Sequence, residues 1–221
     1  TFMSKLPATI LLTFSSIICT IIISIPLGIF SAINKNNIFD YIIRCCSFVG
    51  NSIPGFFLSL LLIYIFSLKL NLFPVINNSI NINSLILPTM TLTIAMSAKY
   101  TRQVRIIVLD ELTKEYVLAA RSRGIKESVI LYKSVLKVCM LSFITLLSLS
   151  IGSLLGGTAI IESIFLWDGV GKMAVDAIIM RDYPIILAYV IWMSIIYVFI
   201  NLFTDILYHY LDPRIRLSSK D

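Results

Sequence analysis

Apolar residues run along this chain in long blocks separated by short polar breaks, and one polar segment is much longer than the others. The first block covers residues 7–33 and stops at Asn34-Lys35-Asn36-Asn37. Others cover 42–68, 138–161 and 185–208, and one more starts near Leu85. A helix needs roughly 20 apolar residues to cross a hydrocarbon core, so each block predicts a membrane span. The block from Leu85 is purely apolar only to Ala98, which is too short, but Tyr100, Val104 and residues 106–109 continue its pattern. The helix is therefore expected to reach about residue 108, with Lys99, Arg102 and Arg105 snorkelling or protruding from it.

The long polar segment, residues 99–137, holds nine of the eighteen Lys and Arg against four acids, Asp110, Glu111, Glu115 and Glu127. Basic loops between spans face the cytoplasm. Placing this loop, the 34–44 turn and the C-terminal tail there puts fourteen of the eighteen cations on that side. Loops 69–84 and 162–184 then face the other way, and the C-terminus is cytoplasmic. Composition agrees with a polytopic membrane protein, since 58% of residues are hydrophobic and 14% charged. The net charge of +6 is clustered in the manner of a topology signal. No basic groove interleaved with aromatics points to nucleic acid.

Within the blocks, Pro26 and Gly28 mark kink points that neighbouring helices can accommodate. Asn51, Pro54 and Gly55 fit either a pore-lining bend or a packing site. Ser148, Gly152 and Gly156 recur every four residues, a face that lets another helix approach closely and is also compatible with a substrate path. No helix shows a clean polar stripe, so no substrate-binding residue is assigned. Glu162 and Asp205 lie near the membrane edges, whereas a proton-driven carrier would keep ionisable groups near the midplane.

No catalytic residues emerge. Gly169-Val170-Gly171-Lys172-Met173 lacks the upstream glycine and the Ser or Thr after lysine that a phosphate-cradling loop requires. His209, the single histidine, sits at a membrane edge, and Cys19, Cys45, Cys46 and Cys139 have no metal-ligand spacing. No metal site is expected.

In the basic segment, residues 115–123 are good helix formers and end at Gly124, where a left-handed cap costs least. A second amphipathic run passes through Lys126, Val129, Ile130 and Lys133 into the next span. Two short helices joined by a glycine elbow are predicted under the membrane. Ala119 and Ala120 would let a soluble partner approach closely, although a solvated linker fits the composition equally well.

The pattern Glu115-Tyr116-Val117-x-x-Ala120-Arg121-x-x-Gly124-Ile125 resembles the cytoplasmic coupling (EAA) loop of importer-type ABC permeases, in the dipeptide, oligopeptide and nickel branch. Two further motifs resemble the same branch in the same order. One is Glu162-x-x-Phe165-x-Trp167-x-Gly169-x-Gly171 followed by Arg181-Asp182-Tyr183-Pro184; the other is the tail Leu211-Asp212-Pro213-Arg214-Ile215-Arg216. Departures are Leu118 in place of the general consensus glutamate, Ser142 and Asp168 in place of common prolines, and Leu187 in place of a common glutamine. Without the proline at Ser142 the start of the following helix is expected to be straighter. Substrate contacts near Leu187 are not inferred.

The resemblance implies an all-α polytopic fold, the transmembrane domain of a type I ABC importer, with five spans and a cytoplasmic coupling helix in one domain over 1–221. In such permeases one more helix and an extracytoplasmic segment precede a Leu-Pro-Ala-Thr like that of residues 6–9, so an upstream helix is expected. By position, Glu115, Ala119, Ala120, Arg121 and Gly124 are the ATPase-coupling residues. Implied partners are a second related permease, two cytoplasmic ATPase subunits carrying ATP and Mg, and an extracytoplasmic binding protein, all at a bacterial cytoplasmic membrane. The chain itself is expected to hold no cofactor. Cargo would be a peptide, nickel or a metal chelate. The alternative is a channel or secondary carrier whose basic loop only sets topology, and a weaker one is a structural membrane subunit.

Overall fold

The computed structural model describes residues 2–74 and 82–211, and every regular element among them is helical. The first block forms α1, Phe2–Ile33. One face of it carries Thr9, Thr13, Ser16, Thr20, Ser24 and Ser31, all buried at helical spacing. Ser16 and Thr20 donate back to the carbonyls of Leu12 and Ser16, both at 2.7 Å. This polar stripe departs from the expectation that no helix has one. Hydroxyls this small bond to their own helix and read as nearly apolar in a hydropathy window.

α4, Ile82–Leu112, lies along that stripe. Thr89 and Ser15 share a hydrogen bond of 3.0 Å, and Thr93 reaches the Ser16 carbonyl at 3.5 Å. Further along, a Cβ placed on Gly28 would lie 2.6 Å from Val104 Cβ and 2.9 Å from the Thr101 carbonyl oxygen. The two helices therefore approach as closely as small residues allow.

The second block is broken. α2, Ile38–Ser52, and α3, Gly55–Leu62, which continues in π-helical turns over Ile63–Lys69, meet at 99°. Pro54 has no N–H to donate and disfavours the helical region for the residue before it. Ile53 is accordingly extended, with φ −82° and ψ 122°.

After α4 comes α5, Glu115–Ser122. The second short helix expected beyond Gly124 is not separate. α6 (Glu127–Val129), π-helical turns over Ile130–Val135 and α7 (Leu136–Ile164) form one column, because no Gly or Pro falls within 127–151 to stop it. Ser142 lies inside α7. The 162–184 segment contains α8, Val170–Met180, and α9, Tyr183–Leu211, closes the described chain.

Phe2–Ile33, Glu127–Leu146 and Tyr183–Thr204 are each long and apolar enough to cross a membrane, and the bent α2–α3 pair passes the same test jointly. α4 has 31 residues, or about 46 Å of helix. It carries its charges in the C-terminal half, so its apolar stretch alone does not qualify. Three apolar clusters pack the described residues, the smallest being Leu58, Leu62 and Leu87 between α3 and α4. The other two lie along α1. One gathers Ala32, Val104, Val108, Val117, Val135 and Phe143, and the other gathers Ala8, Leu12, Leu92, Leu154, Ile161 and Trp167 at the opposite end of α1.

Candidate functional site

The candidate site begins with α5, whose eight residues are too few to hold a helix by propensity alone. What holds it is Val117, fully buried in the core that joins α1, α4 and α7. Ala120, one turn later, packs partly against the same core, whereas Ala119 and Glu115 are exposed. The helix ends in a complete Schellman motif: the Gly124 N–H donates to the Arg121 carbonyl at 2.9 Å, and the Ile125 N–H to the Ala120 carbonyl at 3.2 Å. Gly124 takes φ +74° with open space around it, so glycine is required for its backbone and not for lack of room.

Arg121 then reaches across the elbow to Glu127, with Nε donating to Oε1 at 2.7 Å and Nη2 to Oε2 at 3.2 Å. This guanidinium holds the Glu127 carboxyl below its ordinary range and is itself raised in return. Burial and the neighbouring Glu111 carboxylate push the Tyr116 phenol up to about 12. The side of α5 away from the core presents Leu118, 55% exposed, with Tyr116, Ile125 and Val129 exposed beside it. A short helix is thus plugged into three long helices on one side and offers an apolar face on the other.

Sequence reasoning missed a second feature beside it. Arg105 does not protrude from α4. Its Nε and Nη2 donate to Asp40 Oδ1 and Oδ2 at 2.7 and 2.8 Å, in the two-pronged geometry that suits guanidinium and carboxylate. Asp40 is fully buried and also accepts from Ser31 Oγ at 2.6 Å and from the Asn36 N–H at 3.1 Å. The clamp binds the end of α1, the turn, α2 and α4. It touches the Val117 core at adjacent positions, Ser31 beside Ala32 and Arg105 beside Val104. A signal was available, since Asp40 is the only acid in the first 109 residues.

At the far end of α1, two of the sequence motifs meet. Glu162 is fully buried. Its Oε1 accepts from Thr9 Oγ1 at 2.9 Å and its Oε2 from the Lys172 N–H at 3.0 Å, at the start of α8 where a negative charge is favoured. The Val170 N–H donates to Thr9 Oγ1 at 2.8 Å, and Trp167 Nε1 to the Ala8 carbonyl at 3.0 Å. Asp168 pairs with Lys5. A Cβ on Gly169 would fall 2.4 Å from Glu162 Oε2, and one on Gly171 would fall 2.6 Å from Ala159 Cα. Both glycines serve close packing, and neither opens a phosphate cradle.

Ser148 is buried and borders a gap of about 350 Å³ between α7 and α9 with Ile196, Phe199 and Phe203. The surroundings of Gly152 and Gly156 lie outside the described residues, as does the tail motif beyond Leu211.

Residues 24–217 match the family model described as binding-protein-dependent transport system inner membrane component. The chain is 40% identical over 222 residues to the oligopeptide transport system permease protein AppB of Bacillus subtilis (strain 168), covering 96% of this chain and 70% of that one. It is 38% identical over 212 residues to the nickel import system permease protein NikB of Staphylococcus aureus (strain MRSA252), covering 96% and 63%. The chain thus spans about two thirds of the length of these relatives. Among solved structures, the MetNI methionine ABC transporter in an inward-facing conformation superposes with a TM-score of 0.78 at 16% identity, over 96% of each chain. An amino acid ABC transporter solved with histidines does so with a TM-score of 0.71 at 17% identity. These two show that the fold is shared.

Proposed function

The chain belongs to the binding-protein-dependent transport system inner membrane components, and from that premise we propose that it is the permease subunit of an ATP-driven importer in a bacterial cytoplasmic membrane. Its relatives named for oligopeptide and nickel transport support a peptide, nickel or metal-chelate cargo. An extracytoplasmic binding protein would deliver that cargo, a second related permease would complete the path, and two cytoplasmic subunits would hydrolyse ATP bound with Mg.

The observation that carries this reading is α5. Val117 anchors the helix in a core shared by α1, α4 and α7, while Leu118 and its apolar neighbours face outward. A cytoplasmic ATPase seated on that face displaces α5, and the close-packed core resists deformation. The displacement therefore passes to the spans as rigid bodies, switching them between two arrangements. Glu115, Ala119, Ala120, Arg121 and Gly124 form this coupling element. Arg121, paired to Glu127, braces the elbow, and Gly124 sets its angle.

The test is ATP hydrolysis by the purified complex in bilayers, with and without loaded binding protein, for wild type and Gly124→Pro. Proline cannot adopt the positive φ of this position. The expected outcome is a variant that still assembles with its ATPase but is no longer stimulated by the binding protein. Undiminished stimulation would sink the coupling role, and absence of a copurifying ATPase would favour a channel or carrier.

A further inference from the structure

Beside the Asp40–Arg105 clamp, α2 and α4 part to leave a cavity of about 540 Å³. Most of its wall is apolar, from Tyr41, Ile43, Phe48 and Ile106, but Arg44, Arg102 and Arg105 line it as well. Arg105 is committed to Asp40. Arg44 is 3.9 Å from that same carboxylate and lies over the Tyr41 ring at 5.0 Å, while Arg102 has no ion pair among the described residues. With one carboxylate against three guanidinium groups, two positive charges are left over in a cleft whose walls shun water. Both Arg44 and Arg102 are solvent-accessible, and uncompensated cations beside an apolar wall on the cytoplasmic side attract anionic head groups.

We propose that this cleft is a binding site for an anionic phospholipid of the cytoplasmic leaflet, its phosphate held by Arg44 and Arg102 and its acyl chain against Ile43, Phe48 and Ile106. Guanidinium groups grip phosphate oxygens with two parallel N–H donors, which suits both arginines. A free inorganic anion would satisfy the charge and leave the apolar wall in water, whereas a phospholipid covers both. Basic pockets between spans on the cytoplasmic side are where anionic head groups are recognised. The site rests on the importer reading in one respect, namely that the 34–44 turn faces the cytoplasm. Lipid bound there contacts α2 and α4 next to the clamp, so it would stiffen the frame on which α5 acts.

The test uses the complete transporter complex in bilayers of equal parts phosphatidylcholine and phosphatidylglycerol, with retained lipid identified by native mass spectrometry. Wild type is expected to retain phosphatidylglycerol in preference to phosphatidylcholine. Arg44→Ala/Arg102→Ala should lower that affinity roughly 25-fold, at about a factor of five per basic residue, while Lys137→Ala, a charge removed from α7, leaves it unchanged. Arg105 is kept so that the clamp and the fold survive. Equal retention of the two lipids, or undiminished phosphatidylglycerol binding by the double variant, overturns the proposal. So does full protection of Cys45, which lines the cavity, from a membrane-permeant maleimide with no lipid retained, because a second permease then fills the cleft. ATP hydrolysis is measured on the same sample. Retained ATPase activity without selective lipid binding defeats the lipid site alone, and selective lipid binding without any ATPase defeats the importer reading alone.

Discussion

At the scale of single residues, the most consequential side chain is one whose sequence neighbourhood is unremarked. Asp40 is fully buried, and hydrogen bonds from Arg105 hold its carboxyl far below the usual carboxylate range, against the opposing effect of burial. The depressed folded-state value means its stabilisation is fully present above the unfolded carboxylate pKa. It is lost only as pH falls through the lower folded value, so the clamp does not titrate near neutrality. Asp40→Asn leaves Arg105 buried with half a partner and should cost about 3–5 kcal/mol of folding free energy, read by reversible unfolding in mixed micelles. Replacing both partners by apolar side chains, Asp40→Leu with Arg105→Met, should recover most of that loss, since a buried pair stabilises little over a well-packed apolar substitute. Gly124 is the opposite kind of residue. Nothing crowds it, and only its left-handed backbone is demanding.

At the scale of elements, α1 and α4 are the central pair, and small residues set how closely they lie. In lipid there is little hydrophobic drive between helices, so packing and interhelical hydrogen bonds decide the contact. Gly28→Leu would force its side chain into Val104 and the Thr101 carbonyl, both already under 3 Å from a single Cβ. The expected result is a loss of about 1–3 kcal/mol or more, as overpacking costs in other cores, seen as a lower melting temperature of the purified complex. Helix existence was legible in the apolar blocks, because a span of lipid demands one. The right-angle break at Pro54 was legible as a break but not as an angle, and the merging of 127–164 into one column followed from missing breakers that the motif reading passed over.

At the scale of the whole molecule, two polar fastenings hold the ends of α1: Glu162 with Thr9 at one end, and Asp40 with Ser31 at the other. Thr9 and Ser31 are about 33 Å apart along the helix, well beyond the range at which substitutions couple directly. The losses for Asp40→Asn and Glu162→Gln should therefore add to within about 0.5 kcal/mol in the double variant, measured by the same unfolding experiment. A marked departure from additivity would show that α1 transmits strain from one membrane face to the other. By sequence alone the chain was already determined to be helical and membrane-spanning, because water and lipid impose those choices on each segment separately. The motifs with Glu115 to Gly124 and Glu162 to Gly171 were readable as well, since they are local strings. Only the tertiary structure decided that Trp167 and Glu162 close on Ala8 and Thr9, that Arg105 turns inward to Asp40, and that Val117 roots α5 in three long helices. Each of these joins residues distant in the chain, and the desolvation that makes such a pairing obligatory exists only once the helices have packed.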